Sequence, residues 1–165
     1  MKRKRNQPFY DTGLKFECTR CGKCCSGFPG YVYLSEEEIL RIANNLMLKP
    51  SQFIDSYTKI VRILGQHRLS LIEKPPFDCV FYEKGCMIYE IRPYQCISYP
   101  FWRRHIVSLR EWNKLGEFCP GINRGILFSK EEIEDLLNNV PDYNIMNFSP
   151  NFLHHLNSGI KEKNM

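Results

Sequence analysis

Four of the chain's eight cysteines fall within eight consecutive residues: Cys18, Cys21, Cys24 and Cys25, in the pattern C-x2-C-x2-C-C. Gly22, Gly27, Pro29 and Gly30 lie among or beside them. By composition, residues 16–30 read as a loop that something other than its own apolar content must hold. Thiolates two residues apart on a tight turn can converge on one metal ion, because the turn directs both sulfurs toward it. The triple x2 spacing also matches ferredoxin-type iron–sulfur ligation, in which the last cysteine precedes a proline. Here Cys119-Pro120 has that character, far downstream.

Adjacent Cys24 and Cys25 project in different directions from an ordinary backbone, so the two are expected to face different partners. With Cys79, Cys86, Cys96 and Cys119 the thiols number eight, enough for two four-coordinate sites. We assign Cys18, Cys21, Cys24 and Cys119 to one set, and Cys25, Cys79, Cys86 and Cys96 to the other. The competing reading is that a cysteine is simply a small buried hydrophobe. Cys79 and Cys86 fit it best, since each opens a short apolar run. Pro93 suits the first position of a short helix. Cys96 then sits in the first turn, where free amides favour a thiolate. Arg92 either offsets thiolate charge or forms a surface salt bridge. Pro100, Phe101 and Trp102 read as packing around the site.

Size and charge bound the rest. The 165 residues, 43% hydrophobic and 25% charged, suit one globular domain. Cysteine is about 5% of the chain, below the roughly 8–10% of a disulfide scaffold. No apolar run approaches the roughly 18 residues of a membrane span. The basic Met1–Pro8 stretch has no apolar core behind it and does not read as a secretory signal. We therefore expect a cytoplasmic protein whose clustered thiols bind metal rather than form disulfides. The net charge of +5 comes from 23 basic and 18 acidic residues; Lys2 to Arg5 supply four of the positives, leaving 19 against 18. Four thiolates around a divalent ion carry about −2, so two such sites would bring the chain to about +1. The basic tail reads as solvated, and no nucleic-acid partner, membrane span or particular protein partner is inferred.

The predicted elements are few. Ser35-Glu36-Glu37-Glu38 is a capping box opening a helix to about residue 47, and Pro50-Ser51 opens a shorter one that buries Phe53 and Ile54. Residues 57–73 read as a β-hairpin turning near Gly65-Gln66, and residues 79–82 and 86–89 as another. Residues 105–112 read as a strand. Ser129-Lys130-Glu131-Glu132 opens a last helix that ends near Pro141. The expected fold is α+β: a single small domain with short hairpins, two or three helices and an irregular cysteine-rich core. Residues 1–13 read as a basic tail, 14–125 as the cysteine-cluster domain and 126–165 as a C-terminal helix with a polar, frayed end.

The order of these elements resembles a known family. CTRCGKCC (Cys18 to Cys25), C-x6-C (Cys79 and Cys86), RPYQCISYPF (Arg92 to Phe101) and CPG (Cys119 to Gly121) are similar to the YkgJ-type CxxCxxCC cysteine-cluster family. The similarity covers about residues 16–125. It implies a zinc- or iron-chelating domain, a family often loosely labelled an Fe–S oxidoreductase. A similar cluster occurs in the flagellin lysine methylase, but nothing beyond the cluster here matches such a methylase.

No GxGxxG, P-loop, HExxH or GxSxG motif is present, and no acid–base carboxylate pair stands out. Of His67, His105, His154 and His155, His105 is the best candidate for an extra ligand, against a plainer structural role. The first functional reading is a metal-binding protein holding zinc or iron through cysteine thiolates. The alternative is an Fe–S-dependent oxidoreductase or protein-modifying enzyme that uses the cluster. A third reading is thiol transfer by Cys24-Cys25.

Overall fold

Serines placed three residues before a glutamate decide where the longer helices begin. A computed structural model describes residues 7–154. The basic run Lys2–Arg5 and the polar end at 157–165, for which a tail and a frayed end are expected, lie outside the described residues. In chain order the elements are β1 (Leu14–Phe16), β2 (Tyr33–Leu34), α1 (Glu36–Asn45), α2 (Pro50–Tyr57), β3 (Thr58–Ile63) and β4 (Gln66–Leu71). There follow β5 (Glu73–Lys74), β6 (Asp78–Cys79), α3 (Tyr94–Ile97), α4 (Leu109–Phe118), β7 (Ile126–Phe128) and α5 (Lys130–Asn138). Single 3-10 turns lie at Lys23–Cys25, Tyr89–Ile91 and Ile145–Asn147. The class is α+β, as expected.

Contacts gather the chain into two compact units, and the division falls between Cys24 and Cys25. The first unit comprises the described residues up to Cys24 together with Ser98–Val140. In it β1 pairs antiparallel with β7, Leu14 opposite Phe128 and Phe16 opposite Ile126. α5 starts on the expected capping box: the Ser129 side chain accepts from the Glu132 amide, and the Glu132 carboxylate accepts from the Ser129 amide. Its Ile133 and Leu137 join Leu14, Phe16, Phe101, Ile106, Trp112 and Ile122 in a core that also holds Cys119. Trp112 is fully buried, stacks on Phe101 at 5.5 Å and donates its indole N–H to Asn123 Oδ1 at 2.8 Å. Phe9 and Tyr10, inside the stretch read as a tail, pack against this core.

The second unit comprises Cys25–Ile97 and the described residues from Pro141 onward. Its sheet has the order β2-β4-β3, antiparallel throughout. β3 and β4 form the expected hairpin, Thr58 opposite Leu71 and Ile63 opposite Gln66. The turn lies one residue earlier than expected, on Leu64 (φ +50) and Gly65 (φ +81). Two successive left-handed residues match the right-handed twist of the flanking strands. α1 carries the Ser35–Glu38 capping box and buries Ile39, Ile42 and Ala43. α2 buries Phe53 and Ile54, as its sequence predicts. With Leu34, Leu69, Leu71, Phe81 and Ile88 these form the unit's core, and Phe53, Tyr57 and Phe81 stack ring on ring.

Two expected elements are replaced. Residues 105–112 are not a strand: the Ser108 side chain accepts from the Glu111 amide and starts α4, whose Trp112 and Leu115 turn to the core with Cys119. The Ser108 cap decides the backbone of this segment. The hairpin over 79–89 is also absent. Cys79 closes β6, which pairs with β5, and one isolated bridge joins Tyr82 to Cys86. Lys84 adopts φ +58, and the Glu83 amide donates to the Gly85 carbonyl, so the segment curls before a ladder can form. No helix among the described residues is long and apolar enough to cross a membrane.

Candidate metal centre

The first three cysteines follow β1 directly and lie on turns of opposite hand to ordinary L-residue backbone. Arg20 (φ +54) occupies the gap between Cys18 and Cys21, and Gly22 (φ +74) the gap between Cys21 and Cys24. A left-handed residue reverses the chain within each gap, which is what a tight cysteine turn requires. Cys18, Cys21 and Cys24 are exposed, whereas Cys119 is buried.

Cys119 caps the C-terminus of α4, its amide donating to the Leu115 carbonyl at 2.7 Å. Burial pushes its thiol pKa up. The Gly121 amide, donating to the sulfur, and the nearby Tyr99 hydroxyl act the other way, while Cys21 and Cys24 raise it again. Cys21 and Cys24 thus lie close enough to Cys119 to act on it electrostatically. The Glu17 amide donates to the Gly121 carbonyl at 3.2 Å, which brings the residue before Cys18 against the turn after Cys119. Only glycine permits that approach: a Cβ on residue 121 would stand 2.0 Å from the Glu17 carbonyl oxygen.

Tyr99 lies within the electrostatic reach of the same three cysteines. Burial raises its pKa most, followed by Cys119, Cys24 and Cys21. Its hydroxyl oxygen is buried, and Cys119 is the side chain that acts on it most strongly.

The second unit holds Cys25, Cys79, Cys86 and Cys96, all half-buried. The Gly27 amide, two residues after Cys25, donates to Asp78 Oδ1 at 3.1 Å, one residue before Cys79. The Tyr82 amide donates to the Cys79 carbonyl at 2.8 Å, and the bridge from Tyr82 reaches Cys86. Glu73 sits opposite Cys79. Burial pushes the Glu73 carboxyl up, but the Gly30 amide and Lys59 outweigh it and hold its pKa below the ordinary value.

Cys96 lies in α3 as expected, its amide donating to the Pro93 carbonyl at 2.9 Å. The buried Glu38 carboxylate accepts from the Tyr94 amide at the start of α3 and from the Ser35 amide at the start of α1. Gln95 completes the clamp: its Oε1 accepts from the Tyr33 amide at 3.0 Å and its Nε2 donates to the Tyr31 carbonyl at 2.7 Å. Tyr143 is buried beside this clamp; burial raises its pKa, helped by Glu38, Cys96 and Tyr94. Cys79 and Cys86 pack partly against the unit's apolar core, as their place at the head of apolar runs suggests.

None of the eight cysteines is in a disulfide. Among the described residues, no group of three or more His, Cys, Asp or Glu side chains already stands at metal-holding distance. The donor chemistry nevertheless fits a soft or borderline metal. Thiolates suit zinc and iron, and Cys119 already receives an amide N–H from Gly121.

Other sequence candidates are committed elsewhere. His105 sets Nδ1 against the Pro100 carbonyl at 2.9 Å, and its Nε2 accepts from Arg104 at 3.1 Å, so neither nitrogen is open to a metal. Arg92 stacks on Tyr89, 3.7 Å from the ring centroid, and donates to the Tyr89 carbonyl. His154 is exposed, and His155 lies outside the described residues. Tyr99, Gly121, Glu38 and Gln95 were not read from sequence as site-building residues. Tyr99, Gln95 and Gly121 sat inside the quoted motifs, while Glu38 was read only as a helix cap.

The family model for CxxCxxCC, described as "Putative zinc- or iron-chelating domain", matches residues 17–120, more than half of the chain and all eight cysteines. No solved structure matches. With its cysteine turns, the buried Cys119 and the Cys96 helix all inside the matched span, the chain belongs to the CxxCxxCC family.

Proposed function

We propose that the protein binds zinc or iron through cysteine thiolates and that the metal holds its two units in shape. Cys18, Cys21, Cys24 and Cys119 would hold one ion, and Cys25, Cys79, Cys86 and Cys96 another. The observation that supports this reading is the match of residues 17–120, with all eight cysteines inside, to a zinc- or iron-chelating family model. When bound, the metal supplies charge neutralisation for thiolates that the core would otherwise disfavour. The chain's own residues prepare the ligands. Gly121 donates to the Cys119 sulfur, and Glu38 and Gln95 fix the helix that carries Cys96.

Size supports a structural role for the ion. The first unit has 61 described residues, 7–24 and 98–140. A core of that size rarely supplies more than about 3–5 kcal/mol, whereas a structural zinc site supplies on the order of 10 kcal/mol. The metal term wins. A reducing compartment such as the cytosol keeps the thiols available for it.

The test is metal content and thermal stability of Cys21→Ala and Cys86→Ala beside the wild type. Each variant should lose one metal equivalent, and its stability should fall with it. Full metal content and an unchanged melting temperature in both variants would refute the reading.

A further inference from the structure

We infer that the first unit docks on an anionic lipid surface through the turn leading into α4, with Val107 and Leu109 entering the interface and Arg103, Arg104 and Arg110 meeting the headgroups. The charge of the chain is unevenly shared. The first unit carries 13 basic and 8 acidic residues and the second 10 and 10, so the whole excess of +5 lies in the first. Four of the 13 are Lys2–Arg5. A surface of one sign draws a partner of the other.

Part of that charge is concentrated on one turn. Between Ser98 and Arg110 there is no Asp or Glu. Arg103, Arg104 and Arg110 are exposed, and among the described residues none of them forms a salt bridge. Two are braced without being neutralised: Arg103 donates to Asn138 Oδ1 at 3.3 Å, and the Arg104 guanidinium lies 4.6 Å from the Trp102 ring centroid. Arg110 stands in the first turn of α4, where the helix dipole disfavours a cation. Ile106 is buried and anchors the turn in the core, while Val107 is 69% and Leu109 48% exposed.

Aliphatic side chains flanked by arginines without carboxylate partners match the boundary where hydrocarbon meets anionic headgroups. A nucleic acid fits less well. Val107 and Leu109 offer it no hydrogen bond, and Trp102, the ring on which a base would stack, already stacks on His105 at 5.2 Å. A second copy would bring the same arginines against each other.

The experiment measures sedimentation of the full chain with vesicles of phosphatidylcholine alone, and with vesicles in which about one-third of the lipid is phosphatidylglycerol. The wild type should bind the anionic vesicles, more weakly as salt rises, and leave the neutral ones in place. Each arginine should contribute about fivefold, so a triple variant Arg103→Gln, Arg104→Gln, Arg110→Gln should bind about a hundredfold more weakly. The double variant Val107→Ser, Leu109→Ser keeps every charge and should still lose about tenfold. Met47→Ser removes an exposed apolar side chain of the second unit and should bind as wild type does. Equal binding to both kinds of vesicle, or to neither, overturns the inference. So does wild-type affinity in either turn variant, or a loss in Met47→Ser that matches theirs. Random-sequence DNA held more tightly than the anionic vesicles at the same salt overturns it in favour of a nucleic-acid partner. Each of these outcomes is read without reference to the metal-binding proposal, which stands or falls separately.

Discussion

Replacing Gly121 by alanine puts the local geometry of the first cysteine set to a direct test. The added Cβ would lie 2.0 Å from the Glu17 carbonyl oxygen, 3.0 Å from the Glu17 carbonyl carbon and 3.0 Å from Phe16 Cε2. Two of these are backbone atoms, which cannot yield by changing a rotamer. Overpacking costs about 1–3 kcal/mol when side chains can adjust; against backbone, the upper end applies, about 3 kcal/mol. At about 2–4 °C per kcal/mol for a chain of this length, the melting temperature should drop by about 6–12 °C. The clash also pries the Cys18 turn from Cys119, so one metal should be released to a chelator faster. Gly30→Ala is the matched control, because nothing lies within 4 Å of the Cβ it would add. Calorimetry of the metal-loaded proteins is the assay. A Gly121→Ala protein that melts within a degree of wild type, with unchanged metal release, would refute the reasoning.

Further expectations can be checked on the same protein. Leu64→Asn should stabilise the β3–β4 hairpin by about 0.5–1 kcal/mol in urea unfolding, because a leucine at φ +50 bears a left-handed penalty that asparagine largely escapes; no gain would contradict the turn assignment. Glu38→Ala should cost about 2–4 kcal/mol in the same assay, since it strands the Ser35 and Tyr94 amides, and a loss below about 0.5 kcal/mol would count against the clamp on α3. Burial pushes the His105 pKa below its ordinary 6.5, the Pro100 hydrogen bond opposes this and Arg104 adds to it. The unfolded chain then takes up this proton first, so the contribution is complete above pH 6.5 and is lost as pH falls from there toward the folded-state value. Wild type should lose more stability below pH 6.5 than His105→Gln, and parallel curves for the two would refute the shift.

Most of what the sequence made legible was local chemistry. Capping boxes at Ser35 and Ser129 and the proline at residue 50 fixed three helix starts, because such signals act over three or four residues. The hairpin at 58–71 was legible from its alternation. The Ser108–Glu111 start is equally local, a capping serine three residues before a glutamate, although the segment reads as a strand. The pairing of β1 with β7 joins segments more than a hundred residues apart, each three residues long, too short to carry a periodic signal. The cysteine turns were legible as spacing. Their surroundings were not, since the Glu17–Gly121 contact and the burial of the Tyr99 hydroxyl depend on what the fold brings against them. His105 shows the reverse: a residue type that suggests ligation, with both nitrogens engaged elsewhere.

The central claim is that cysteine thiolates bind metal and that the ion holds the fold. Elemental analysis of protein purified without oxygen, with an optical spectrum of the same sample, tests it most directly. The account predicts two equivalents of zinc in a colourless sample, or stoichiometric iron with visible thiolate charge-transfer absorption. Folded protein free of both metals, with all eight thiols open to alkylation, would contradict it.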